Sequence, residues 1–304
     1  MEHSLEKLHR CPSCASTELS PTLSCPDFTY SKNTFNISSC ASCGLYFTNP
    51  RPDEKNIGKY YDNPDYVSHS DTSEGPLFKV YAIVKSRALK QKRALLESLT
   101  QDRTILEYGA GTGDFSTILA QNNWAVFAYE PDEKARQKIA KKSPQTKLVS
   151  NLDELANNSV SMVSLWHVLE HVHRLDETLT HFSRLLKSNG QLVIAVPNHT
   201  SFDASFYAEN WAAYDVPRHL YHFNPETLKP LIEKFGFELL TVKPMWFDSF
   251  YVSLLSEQIL GNDTFLRKPF GWVRAFIIGL ISNLLTLFDT KKCSSVIYIF
   301  QKRD

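Results

Sequence analysis

The sequence predicts an α/β protein: a mostly parallel sheet covered by helices on both faces, with a small cysteine-bearing segment in front of it. Three features predict this. From about residue 101 onward, apolar runs of strand length alternate with amphipathic runs of helix length. One strand-to-helix junction, ILEYGAGTGDFSTILA at 105–120, carries three glycines at alternate positions. Two C-x-x-C pairs, CPSC at 11–14 and CASC at 40–43, precede the alternation.

Each element follows from local pattern. Residues 76–99 space apolar positions at helical intervals, with basic residues opposite. Strands are expected at 103–107, 124–129, 146–150, 160–165 and 191–196. Helices are expected at 114–121, 132–141, 167–173, 176–187 and 225–235, with Asp114 as an N-cap. FELLTVKPM and SSVIYIFQK read as two late strands, separated by an apolar helical excursion at about 250–290. The organisation is therefore a cysteine segment over 1–52, a lid and lead-in helix over 53–100, and the sheet domain over 101–304.

The chain has 304 residues, 42% of them apolar, and a formal net charge of zero. A basic surplus, the usual footprint of a nucleic-acid binder, is absent. The first residues, MEHSLEKLHRCPSC, show no signal-peptide core, and six cysteines in that context point to a reducing, cytoplasmic location. The most apolar stretch, 270–288, approaches the length of a membrane span but contains Arg274, Ser282 and Asn283. A buried or interface helix, for example in a homodimer, is the favoured reading; a helix on a membrane surface is the alternative.

Chemistry narrows the ligand of the glycine turn. A dinucleotide fingerprint places glycines at offsets zero, two and five, whereas Gly109, Gly111 and Gly113 fall at zero, two and four. Glu107 ends the preceding strand, and a pyrophosphate beside it would be repelled. S-adenosylmethionine carries an ammonium and a sulfonium, which a carboxylate attracts, and no phosphate. Glu130 ends the next strand, at about the distance where an acidic residue receives ribose hydroxyls.

LEYGAGTG, YEPDE, SLWHVLEHV and LLKSNGQLVIAVPN, in this order, resemble class I S-adenosylmethionine-dependent methyltransferases. One departure is that Ser161 and Met162 stand where the family often has an aspartate. The resemblance implies a Rossmann-like seven-stranded sheet whose last strand is antiparallel, with the cofactor across the strands' C-terminal ends. It further implies Leu152 beside the adenine, and Trp166 and His167 on the methionine side.

Four cysteines, Cys11, Cys14, Cys40 and Cys43, match the count of a structural tetrahedral zinc in a ribbon-like segment. After the fifth strand, PNHTSFDASFYAENWAAYDVPRHLYHFNPETL is aromatic and polar and sits at the active edge, where a small-molecule acceptor is expected. Tyr214 and Arg218 are its candidate acceptor contacts, Arg218 by pairing with an anionic group. His219 and His222 are candidate bases for an acceptor hydroxyl or carbon acid. In similar methyltransferases, some acting on sugar carbons, a histidine at the place of His219 serves as base, although the preceding residue there is often acidic. Tyr61, Tyr66 and His69 are expected to fold over the site as a lid, while Glu170 and His171 read as structural.

The leading expectation is methyl transfer to a small molecule, at oxygen or carbon. The competing expectations are a quinone or lipid methyltransferase on a membrane surface, and an interaction protein whose methyltransferase fold only binds ligand.

Overall fold

Strand and helix formation follow the periodicities closely in the C-terminal four-fifths of the chain. The computed structural model describes residues 5–61, 76–261 and 268–303. In chain order its elements are β1 (Leu5–Glu6), β2 (Leu19–Pro26), β3 (Thr34–Cys40), β4 (Tyr46–Thr48), β5 (Arg51–Pro52), α1 (Pro76–Leu99), β6 (Thr104–Tyr108), α2 (Asp114–Gln121), β7 (Ala125–Tyr129), α3 (Glu133–Lys142) and β8 (Lys147–Val149). They continue with β9 (Val160–Trp166), α4 (Leu175–Leu185), β10 (Leu186–Pro197), α5 (Phe202–Tyr207), β11 (Tyr221–His222), α6 (Pro225–Glu233), β12 (Phe237–Pro244), α7 (Asp248–Ile259), α8 (Lys268–Phe288) and β13 (Ser295–Lys302).

Seven strands form one sheet in the order β12-β13-β10-β9-β6-β7-β8, with β13 antiparallel to both neighbours and the rest of the β10-to-β8 run parallel. The central strand β9 is buried along its first six residues, which is why VSMVSLW reads as a continuous run rather than an alternation. Chain order reverses direction at the β6–β9 pair. The C-terminal ends of these two strands therefore open the crevice where ligands bind in open α/β sheets.

The sheet expectations hold, with two local corrections. The segment 167–173 is not a helix: β9 runs directly into a short 3₁₀ turn at Leu169–His171. His167 adopts φ +57, a left-handed conformation that ends the strand abruptly. Asp114 is not the N-cap of α2. Gly113 holds that place without a side-chain bond, and the Asp114 carboxylate pairs with Lys85 at 2.7 Å and Lys142 at 2.9 Å. It thereby ties α1 and α3 to the start of α2.

The N-terminal segment builds a second sheet in the order β11-β4-β3-β2. Its outermost strand, β11, comes from the loop after β10, with Tyr221 opposite Phe47 and His222 opposite Tyr46. Thr48 reinforces the seam, its hydroxyl donating to the His219 carbonyl at 2.6 Å. Behind the seam lies Arg218, 1% exposed. Its guanidinium donates to Asp215 (Nη2–Oδ1 2.6 Å), to Asp27 (3.1 Å) and to the Tyr60 carbonyl (3.2 Å). Asp27 is itself fully buried and accepts from the backbone N–H groups of Thr29, Tyr30 and Ser31. Those amides and the Arg218 guanidinium outweigh burial and hold the Asp27 carboxyl below its ordinary range.

Removing one partner from a buried pair strands the other charge. Asp27→Ala is expected to lower unfolding free energy by about 3–5 kcal/mol. Urea unfolding read by tryptophan fluorescence measures this, and a loss under about 1 kcal/mol would contradict the buried geometry.

Candidate active site

The cradle lies where β6 ends. Gly109 has φ +77, and a Cβ there would meet Val168 at 2.5 Å, so the turn tolerates no side chain. A Cβ on Gly113 would meet Ile139 of α3 at 2.8 Å. Gly111 differs: nothing lies within 4 Å of its Cβ position, which leaves its surface open for a ligand. Its N–H donates to Glu130 Oε2 at 2.7 Å, and Asp132 N–H donates to the other oxygen at 3.0 Å. These amides aim the Glu130 carboxylate along the rim. An ionised carboxylate can accept about four hydrogen bonds.

Glu107 is 4% exposed and accepts from the Ser116 hydroxyl of α2. Burial pushes its carboxyl up to about 7, against the opposing pull of Ser116 and of the Lys92 ammonium. Lys92, on α1, lies 4.4 Å from the centre of the Trp166 ring, and Phe115 meets that ring edge-on at 5.8 Å. The Lys92 ammonium is itself lowered by burial, with Asp248 and Glu107 opposing the shift.

Just past Trp166, His167 bridges two carboxylates: Nε2 lies 3.0 Å from Asp248 of α7, and Nδ1 lies 3.6 Å from Glu170. Burial disfavours its charge, but these two partners prevail and raise the imidazole to about 9. His167 is thus an imidazolium at neutral pH, still one-third exposed to the crevice. Leu152 occupies a short turn after β8, capped by Asn151 and Glu154, and is buried against the main core. Lys92 and Asp248 had no distinguishing sequence signal. One is a basic residue among several on α1, and the other lies far along the chain.

Around the acceptor loop, His219 Nδ1 lies 2.8 Å from the Ala213 carbonyl, and Nε2 lies 3.9 Å from Asp215. The His171 ring meets the His219 ring edge-on at 4.6 Å. Tyr61 places its hydroxyl 2.9 Å from His171 Nδ1, and the Arg218 carbonyl lies 3.0 Å from the same nitrogen. Glu170 is fully buried beside this group, and ligand atoms of Glu170, His171 and His219 lie within 4.8 Å of one another. Burial would raise the Glu170 carboxyl, but His167, His219 and His171 hold it below the ordinary range.

Two expected site residues are reassigned by their surroundings. Arg218 is committed to Asp27 and Asp215 and does not reach into the crevice to meet an anionic acceptor. His222 is 4% exposed, pairs in β11 and sits 3.2 Å from the Thr48 hydroxyl, with burial driving its imidazole well below the usual range. In this geometry it is a residue of the β4–β11 seam. Tyr214 is 7% exposed and packs edge-on against Trp211 and His222. Tyr66 and His69 lie outside the described residues.

A sheet in this order, with a glycine cradle at β6 and acidic residues closing β6 and β7, defines the class I S-adenosylmethionine-dependent methyltransferase fold. Residues 82–242, over half the chain, match the family model described as a methyltransferase domain, and the chain belongs to that family. Among solved structures it is similar to an S-adenosylmethionine-dependent methyltransferase from Archaeoglobus fulgidus (19% identity, TM-score 0.48, 71% of this chain and 94% of that one). It is also similar to one from Thermotoga maritima (17%, 0.49, 74% and 95%). A third is the phosphoethanolamine N-methyltransferase 2 of Haemonchus contortus in complex with S-adenosyl-L-methionine (20%, 0.46, 71% and 53%). The comparison with curated proteins finds no match.

Near neutral pH, Glu107 is partly protonated in the free protein. A cation bound beside it favours the carboxylate, so binding expels that proton. Affinity for S-adenosylhomocysteine, which carries an ammonium, is therefore expected to rise from about pH 6 to about pH 8 and to weaken toward lower pH. Calorimetry in buffers of different ionisation heat reads the released proton, and Glu107→Gln should abolish that release.

Proposed function

We propose that this chain methylates a small-molecule acceptor at oxygen or carbon, with His219 as the base. The observation that carries the reading is the 2.8 Å contact between His219 Nδ1 and the Ala213 carbonyl. A carbonyl oxygen only accepts, so Nδ1 carries the proton and the lone pair of the neutral ring lies on Nε2. Asp215, from the same loop, lies 3.9 Å from Nε2.

S-adenosylmethionine, when bound, supplies an electrophilic methyl on a sulfonium. The chain's own residues orient and exclude. Glu130 is read as the acceptor of the ribose hydroxyls, and Gly111 as the point of closest backbone approach. Leu152 is read as an adenine contact. Glu107, Trp166, His167 and Lys92 form the methionine end, where Glu107 and Lys92 offer opposite charges to an ammonium and a carboxylate. Tyr61 closes the acceptor side above His171.

The cysteine cluster supports a structural zinc. Cys11 and Cys43 sulfurs lie 3.5 Å apart, as do those of Cys14 and Cys40, and all four fall within 4.8 Å of one another. A tetrahedral zinc with bonds of about 2.3 Å sets sulfurs about 3.8 Å apart. Both knuckles close alike, with Ala15 N–H to Cys11 and Gly44 N–H to Cys40 carbonyls, and both closing residues have positive φ.

Two measurements test these readings. His219→Ala should leave S-adenosylhomocysteine affinity within about twofold and reduce turnover roughly 10²–10⁴-fold once an acceptor is in hand. His222→Ala should instead cost stability, and near-normal turnover in His219→Ala would remove the base assignment. Elemental analysis of reduced, folded protein should find one zinc per chain, lost in Cys40→Ser. A metal-free wild-type protein would rule the site out.

A further inference from the structure

Helix α8 is arranged inside out for a protein surrounded by water. Ala275, Gly279, Ser282 and Thr286, spaced four, three and four apart, face the protein and are buried, with Ile278 the large apolar side chain among them. Gly279 lets Phe250 approach so closely that a Cβ would meet it at 2.7 Å. The Ser282 hydroxyl donates to buried Asp203 at 2.8 Å. The opposite stripe is Phe270, Val273, Phe276, Leu280, Leu284 and Leu287, all exposed, with Phe270 at 78% and Leu287 at 67%. An amphipathic helix on a soluble core places these groups the other way round.

Its partner α7 follows the same rule. Ser249, Ser253, Ser256 and Glu257 are turned inward along with Val252, while Tyr251 and the preceding Trp246 and Phe247 are exposed. Arg274, the one charged residue within Pro269–Phe288, is neutralised by Glu257 through contacts of 2.6 and 2.7 Å. Asn283 turns aside to donate to the Trp246 carbonyl at 2.7 Å. The outward face therefore carries an apolar stripe with aromatic rings along it, and just past the end of the helix stand exposed Lys292 and Lys291, the latter 3.8 Å from Glu226 of α6.

We propose that the α7–α8 face docks flat on a lipid bilayer that contains anionic head groups. Length and apolarity alone would let Pro269–Phe288 span a bilayer, with a mean hydropathy of 1.6. Packing of its small and hydroxylated face on α5 and α7 instead holds it against the domain, so it lies in the interface with the apolar stripe in the acyl region. Aromatic rings at the head-group level and the lysine pair beside anionic lipid complete the fit. The helix pair adjoins the donor site, because Asp248 at the start of α7 pairs inward with His167. Docking thus brings the crevice to the membrane and suits an acceptor carried by a lipid.

Flotation of the full chain with phosphatidylcholine–phosphatidylglycerol vesicles tests this. The protein should rise with the vesicles, and less so at high salt or with phosphatidylcholine alone. The double variant Phe276→Ser, Leu284→Ser should lose at least about tenfold in vesicle affinity while keeping its circular dichroism and S-adenosylhomocysteine binding, because both side chains point outward. Lys291→Glu, Lys292→Glu should remove the preference for anionic lipid. Failure of the wild type to float overturns the proposal. So does a dimer in ultracentrifugation that the serine variant dissolves while neither protein floats, which would assign the face to a second copy. Neither result bears on His219, whose test reads turnover in solution.

Discussion

A single buried guanidinium ties three distant parts of this protein together. Arg218 binds Asp27 from the hairpin between β2 and β3, Asp215 from its own loop and the Tyr60 carbonyl from the lead-in segment. Three parts of the chain, distant in sequence, meet on one charge that has no water to fall back on. An arginine suits this role because its planar fork reaches several acceptors at once and stays charged at any pH in reach. The positions of His219 and of β11 follow from it: His219 is the next residue, and β11 begins two residues later.

The donor side is organised by a different principle, a chain of alternating charges. Glu107, Lys92, Asp248, His167 and Glu170 run along the ends of β6 and β9 and the start of α7, each influencing the next. Burial works against ionisation at every one, and neighbours decide the outcome. Glu107 has weak compensation and sits near neutrality, whereas His167, held between two carboxylates, stays charged. A methionine moiety bearing both an ammonium and a carboxylate can insert its own charges into such a chain.

The sheet was legible because long strands and helices average their signals over many residues. The runs at 104–108, 125–129 and 160–166 emerged within a residue of expectation, and the seven-strand count followed. The glycines and the two acidic strand ends were legible because each has a chemical reason fixed by local spacing. What failed was tertiary. WHVLEHVH has helical spacing, yet the left-handed turn at His167 and the pull of Asp248 make it a strand end. Arg218 looked like an anion receptor because Asp27, its main distant partner, lies 191 positions away. Nothing along the chain pairs those two residues; only the seam between β4 and β11 brings them together.

That seam changes what counts as a module here. The loop after β10 supplies the fourth strand of the cysteine segment's sheet, so the two cannot be exchanged separately. Grafting the 199–224 loop from a relative with another acceptor would leave β4 without its mate and Asp27 without its cation. The transplantable unit is the loop together with residues 5–52, although the chain separates them by the entire cofactor half. An exchange of this loop is therefore an exchange of two distant segments, and both must be altered together.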